Sequence, residues 1–336
     1  GLIVGMAWIS SNSQWTIMLL TAGGIFTLYL VLRFHYPWRD RLSLLATYAL
    51  SVTLGSFAGL VQLWPAYVYA ALSGRSGGLS YAEATVGALW PTDFVRFILP
   101  SFSLPFLASG ETLYLGALTL LLLIIGWRTP SVGIKKFFAW LLMGCILISV
   151  KFSPLFWIIS QLPGYRYFRG PSRWMFLGYF SIAVLAGFGL KAIAEAKGPV
   201  AKETVVRIYR WLIGGIVALV ILGWFFLHFF GNKMLNFLTA FCDDHLFNEA
   251  NGVALEFYNK VIYQAFEQLR GIISWHNPLF IWPFLFLLIS LVFLWSMKRY
   301  NLSSKWVVRL ITVIMIGNFG LVTGGYFYTA SAKSVF

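Results

Sequence analysis

Apolar residues in this chain fall in long unbroken blocks rather than at the spacing of a half-buried strand or a surface helix. The blocks lie at 14–32, 42–63, 112–127, 137–150, 174–190, 211–230, 278–297 and 306–327. A crossing of hydrocarbon takes about 20 apolar residues in a helix, so these segments predict eight transmembrane helices. Residues 1–8 read as the end of a further span, which predicts more helices upstream. The fold class is therefore all-α, a polytopic helical bundle forming a single membrane domain. Its longer connections lie at 64–111, 151–173 and 231–277.

Charge sets the orientation. Short connections at 33–41, 128–136, 191–210 and 298–309 carry 15 of the 25 Lys and Arg and only three acids, Asp40, Glu195 and Glu203. The remainder of the chain holds ten cations and eight acids. By the positive-inside rule the biased side is cytoplasmic, which places the three longer loops outside the cytoplasmic membrane. Composition agrees: 59% of residues are hydrophobic and 11% charged, against about 25% charged in soluble domains. The net charge of +14 is then loop charge, and no nucleic-acid partner follows from it. Cys145 lies in an apolar block and Cys242 in a loop, so no disulfide is assigned.

No Asp, Glu, Lys or Arg lies in the middle of any block. Intramembrane ionisable groups mark ion and proton pathways, so their absence argues against an ion-coupled transporter or channel. The polar chemistry gathers at the outer boundary instead, above all between Leu162 and Arg173. That stretch is broken by Pro163, Gly164, Gly170 and Pro171, and it feeds directly into the charge-free block 174–190. Arg166, Arg169 and Arg173 are thus fixed at one membrane depth. Guanidinium groups bind phosphate oxygens in a bidentate manner, and Tyr165 and Tyr167 suit headgroup depth. The alternative is plain anchoring, since Arg and aromatic residues also snorkel at interfaces.

Other candidates lie in the long loops. In 64–111, Arg75 and Arg96 are further cations for an anionic substrate. Glu83 and Asp93 are the acids available there as a base or ligand, or as partners of those arginines. In 231–277, Asp243, Asp244 and His245 carry donors suited to a hard divalent cation. Their spacing matches no defined ligand motif, so a polar loop tip is the reading and no metal or other cofactor is assigned. Residues 254–273 have helical apolar spacing and predict an amphipathic helix on the membrane surface. The Gly187-Phe188-Gly189 triplet ends a span, where it permits close helix contact.

The central stretch resembles the YfhO-like family of bacterial multi-spanning membrane proteins. The likeness rests on Phe168-Arg169, Pro171 and Arg173, followed by Leu185-Ala186-Gly187-Phe188-Gly189-Leu190. Upstream, Leu72-Ser73-Gly74-Arg75, Pro100 and Tyr114-Leu115-Gly116 fall in the order expected of that family. The likeness covers roughly residues 1–195. It departs at the early turn, where Asn12-Ser13 precede Gln14 in place of a Gly-His pair. What the resemblance implies is a GT-C-like glycosyltransferase fold, using a polyprenyl-phosphate sugar and a membrane-lipid environment at the outer face. It also implies a catalytic acid in the first outer loop, upstream of residue 1. The expected activity is transfer of that sugar to a cell-envelope glycopolymer or lipid, with Arg166, Arg169 and Arg173 at the donor phosphate. A lipid or polymer translocase and a non-catalytic assembly protein are the alternatives.

Overall fold

The computed structural model of the chain describes residues 1–10, 12–74, 76–102, 113–130, 133–162, 164–195, 199–245, 260, 262–264, 266–267, 270–271, 274, 276–300 and 303–333. Its described elements are helices and short 3-10 turns. They are α1 (Leu2–Ser10), α2 (Ser13–Arg33), α3 (Trp38–Ala58), α4 (Leu60–Leu72), α5 (Tyr81–Ala84), α6 (Ala117–Arg128), α7 (Gly133–Ser149), α8 (Pro154–Ser160), α9 (Met175–Glu195), α10 (Pro199–Phe229), α11 (Gly231–His245), α12 (Pro278–Tyr300) and α13 (Ser304–Lys333). Among the described residues no strand forms, and Leu89 and Val150 make one isolated bridge.

Seven of the eight apolar blocks each overlap one helix, and the block at 42–63 is divided between two, α3 and α4. Among the described residues, three helical segments are long and apolar enough to cross a membrane: Ser13–Arg33, Pro171–Glu195 and Lys305–Val322. Counting α3 and α4 as one broken span gives four. Local geometry explains why two other blocks come up short or bent. The block at 112–127 becomes a helix only from Ala117, because Gly116 takes φ +78, outside helical space. The resulting 12 residues reach about 18 Å, well under the ~30 Å of hydrocarbon. The block at 42–63 is not straight: α3 ends at Ala58 and α4 leaves at 72°.

Small residues lie at that bend. Gly1 and, in α1, Gly5 face Gly55 of α3, and Trp8 of α1 faces the C-cap Gly59. A Cβ on Gly55 would lie 2.4 Å from Val4 Cβ, and one on Gly59 would lie 2.6 Å from Trp8 Cβ. The Trp8 indole N–H also donates to Ser56 Oγ at 3.1 Å. Small residues at helical spacing let two helix backbones approach closely, and Trp8 packs against the point where α3 ends. The predicted loop 64–111 accordingly opens with α4, a helix with no buried residue that exposes Trp64, Tyr67 and Tyr69.

Contacts divide the chain into two compact units, residues 1–89 with 130–185, and residues 90–129 with 186–336. The first has a core of Met18, Ala22, Ala84, Cys145, Ile148, Phe156, Trp174 and Leu177. The second packs α6, the C-terminal half of α9, α12 and α13 around Leu121, Leu122, Ile193, Leu287 and Ile311. Within it, a Cβ on Gly189 would meet the Leu122 carbonyl oxygen. The close helix contact expected of the Gly187-Phe188-Gly189 triplet is therefore made, by its second glycine. Asn318, buried in α13, accepts from the Tyr114 hydroxyl at 2.6 Å, and its side chain fills the space a Cβ on Gly116 would need.

Candidate functional site

In the first unit, three irregular segments are stitched together by backbone hydrogen bonds at the N-terminal end of α9. Leu79 N–H donates to the Arg166 carbonyl at 2.9 Å, and Gly170 N–H donates to the Ala84 carbonyl at 3.1 Å. Leu89 N–H donates to Ser149 and Lys151 N–H to Leu89, both at 2.8 Å, while Ser149 Oγ donates to the Pro171 carbonyl at 3.1 Å. A chain that reverses this often without regular structure must satisfy its backbone polar groups across segments. Gly170 makes the tightest reversal. It sits at φ +82, ψ +78, a left-handed conformation that costs a Cβ-bearing residue about 1 kcal/mol or more. Pro171 then starts a 3-10 turn, Pro171–Trp174, which runs into α9.

This scaffold holds the predicted residues in three different ways. The Arg173 guanidinium is partly buried, and its Nη1 donates to Gln14 Oε1. Arg166 is exposed, lies over the Tyr167 ring at 5.1 Å and donates to the Tyr167 hydroxyl at 3.1 Å. Arg169 is exposed; its carbonyl accepts from Gln14 Nε2 at 3.1 Å, and its guanidinium has no protein partner among the described residues. No described carboxylate pairs with any of the three. The unit as a whole has ten Lys and Arg against two acids, Asp40 and Glu83.

Tyr165 faces inward. Its ring stacks on Trp174 with centroids 5.8 Å apart, and its hydroxyl shares a 2.5 Å hydrogen bond with Thr21 Oγ1. Burial raises the phenol's pKa, and the Thr21 bond offsets part of that. Both aromatic rings form a wall of an apolar cavity of about 480 Å³, lined also by Ile25, Phe137, Trp140 and Cys145. Few polar groups reach it. The Thr21 and Tyr165 hydroxyls satisfy each other, and the Tyr29 hydroxyl donates to the Gly133 carbonyl at 2.5 Å. Its size is within the common range for small-ligand sites, about 300–1,000 Å³. Its chemistry accepts hydrocarbon and offers nothing to a polar group.

The remaining candidates are placed as follows. Glu83 is exposed and closes a capping box with Ser80 at the start of α5. Asp93 and Arg96 belong to the second unit, where they pair with each other at 3.5 Å in the 3-10 turn Pro91–Phe97. Asp93 Oδ2 also accepts the Trp90 N–H at 2.8 Å. Arg75 lies outside the described residues. The backbone carrying Cys242, Asp243, Asp244 and His245 is the end of α11, not the predicted loop; their side chains are outside the described set. Among the described residues no cluster of three metal-ligating side chains occurs. The amphipathic segment 254–273 is largely outside the described residues; in its described part Arg270 pairs with Glu267 at 3.6 Å, and Phe266 packs on Gly231.

Gln14 was not singled out by its sequence, yet it ties Arg169 to Arg173. Its clues were the opening position of a span and the absence of acids to balance the arginines. Comparison with protein-family models, with curated proteins and with solved structures finds no match to this chain.

Proposed function

We propose that this protein is a membrane glycosyltransferase that takes its sugar from a polyprenyl-phosphate donor at the outer face of the cytoplasmic membrane. On this reading the donor phosphate is held by Arg166, Arg169 and Arg173, and the start of its hydrocarbon chain lies in the cavity beside them. The acceptor is a cell-envelope glycopolymer or lipid.

One observation carries the reading. Three guanidinium groups with no carboxylate partner among the described residues lie, within one short stretch, between Tyr165 and Trp174, which wall an apolar cavity. A lipid phosphate has that pairing of chemistries: an anion that charge-assisted hydrogen bonds recognise, joined to a chain that gains from burial. The resemblance of Phe168-Arg169, Pro171 and Arg173 to YfhO-like proteins supplies the transfer chemistry in the proposal. No residue of this chain is assigned as the catalytic acid, and neither Glu83 nor Asp93 is given that role. Their caps and ion pair account for them structurally.

The test is transfer of radiolabelled sugar from a polyprenyl-phosphate donor by the full-length protein in bilayers. The expected result is turnover in wild type and a loss of about tenfold or more in kcat/KM in Arg169→Ala and Arg173→Ala, the size of one charge-assisted contact. Absence of turnover with every donor, together with undiminished assembly of the envelope polymer in the arginine variants, overturns it.

A further inference from the structure

Gln14 sits at the start of α2 and is 5% exposed. Asn12 caps the helix through the Gln14 backbone N–H at 3.0 Å, which fixes where the side chain begins. From there the amide reaches across the chain to residues 155 and 159 positions away. Its orientation is determined by its partners. The Arg169 carbonyl needs a donor and the Arg173 guanidinium needs an acceptor, so NH2 must face Arg169 and the oxygen must face Arg173.

The contact is unusual in what it leaves out. An arginine removed from water is ordinarily paired with an acid. Here a buried neutral amide supplies the acceptor oxygen without the opposing charge. Glutamate has nearly the same shape and would hold the guanidinium more tightly, but it would cancel its charge. The only acids in this unit, Asp40 and Glu83, are not paired with Arg173, and Glu83 is engaged by Ser80.

We infer that Gln14 is a positioning residue that fixes Arg173 while leaving its positive charge for an anionic ligand, and that this neutrality makes the site selective for lipids with a net-anionic phosphate over zwitterionic ones such as phosphatidylcholine. The inference rests on the lipid-phosphate part of the function proposed above, and not on the transfer chemistry. Gln14 itself touches no ligand in this account; it acts through Arg173 and through the Arg169 backbone.

The experiment is a lipid titration of the full chain in phosphatidylcholine nanodiscs. It measures binding of polyprenyl phosphate, dioleoyl phosphatidic acid and inorganic phosphate, with added phosphatidylcholine as the neutral control. Wild type, Gln14→Glu, Gln14→Leu and Arg173→Ala are compared, each with its thermal unfolding midpoint. Gln14→Glu is expected to lose about tenfold or more in affinity for the phosphate lipids, as Arg173→Ala does, with a smaller fall in midpoint than Gln14→Leu, because it loses the bond to the Arg169 carbonyl but gains an ion pair with Arg173. Gln14→Leu, which removes both hydrogen bonds but adds no charge, is expected to lose less affinity and more stability. A purely structural Gln14 reverses that order, because leucine removes more of the fold's bonding than glutamate does. Wild-type binding with Gln14→Glu equal to wild type, or better than Gln14→Leu, overturns the inference and leaves the phosphate reading standing. Wild type that shows no preference for any phosphate lipid overturns the phosphate reading itself. The two lipids separate a prenyl from an acyl source, and inorganic phosphate separates headgroup recognition from chain burial.

Discussion

Arg96 and Arg173 both sit in short 3-10 turns that open with a proline, Pro91–Phe97 in one unit and Pro171–Trp174 in the other. Their surroundings are opposite. Arg96 has Asp93 at 3.5 Å, three residues back on the same turn, and both side chains are under 10% exposed. Arg173 is partly open, and among the described residues its hydrogen-bond partner is the amide of Gln14. The first turn neutralises its cation locally and encloses it. The second imports a neutral partner from another helix and keeps the charge. The same residue type in the same local geometry therefore serves two ends, and the partner's charge separates them.

The largest expected effect tests the closed pair. Among the described residues, Arg96 Nε and Nη1 are buried without a hydrogen-bond partner, so the Asp93 charge is what offsets their burial. Asp93→Ala leaves an uncompensated buried guanidinium and should cost about 3–5 kcal/mol, read as a fall in the unfolding midpoint. Replacing both residues by leucine should cost much less, since apolar substitution of a whole buried pair is close to neutral. If the double variant is as unstable as Asp93→Ala, the pair is not the self-contained unit described here.

Arg173→Ala should behave differently. It leaves the Gln14 oxygen without its donor, at a stability cost of about 1–2 kcal/mol, while phosphate-lipid binding falls by about tenfold or more. Stability and binding thus separate at Arg173 and not at Arg96. Equal stability losses at Asp93 and Arg173 in thermal unfolding would erase the contrast between the turns.

Much of this arrangement was legible in the sequence, and the rest was hidden for physical reasons. The apolar blocks marked where helices lie because burial in lipid or protein demands apolar side chains either way. That same indifference concealed which helices are long and straight enough to span. The 72° bend after Ala58 falls where Gly55 and Gly59 meet the first helix; the four-residue spacing of those glycines was readable, but their packing on residues some 50 positions earlier was not. The arginine cluster stood out because cations outside the biased connections need a reason. Gln14 and Asn318 did not, because a lone amide in an apolar block has no local pattern. Their partners, Arg173 and Tyr114, lie 159 and 204 residues away. Asp93 and Arg96 were visible as candidates, with pairing to an arginine of the same loop as one alternative; the 3-10 turn, which brings residues three apart to one side, selects Arg96 as the partner of Asp93.

The smallest expected effect concerns the wall between the arginines and the cavity. Tyr165→Phe removes the 2.5 Å bond to Thr21 and should cost about 1 kcal/mol at neutral pH, with phosphate binding little changed because the arginines are untouched. Its sharper signature is at alkaline pH. Burial raises the Tyr165 pKa above that of the exposed phenol in the unfolded chain, so the unfolded state loses its proton first as pH rises. The stability carried by the neutral phenol is therefore complete below about pH 10, the ordinary tyrosine value, and declines as pH climbs from there toward the folded-state value. Unfolding midpoints measured between pH 8 and 11 should fall less steeply in Tyr165→Phe than in wild type, on the order of a few degrees by the upper end. An identical slope in the two proteins would mean that this hydroxyl is open to water in the folded state. In that case the cavity beside the arginines is not the dry hydrocarbon site that distinguishes this unit's open arginine from the closed one in its neighbour.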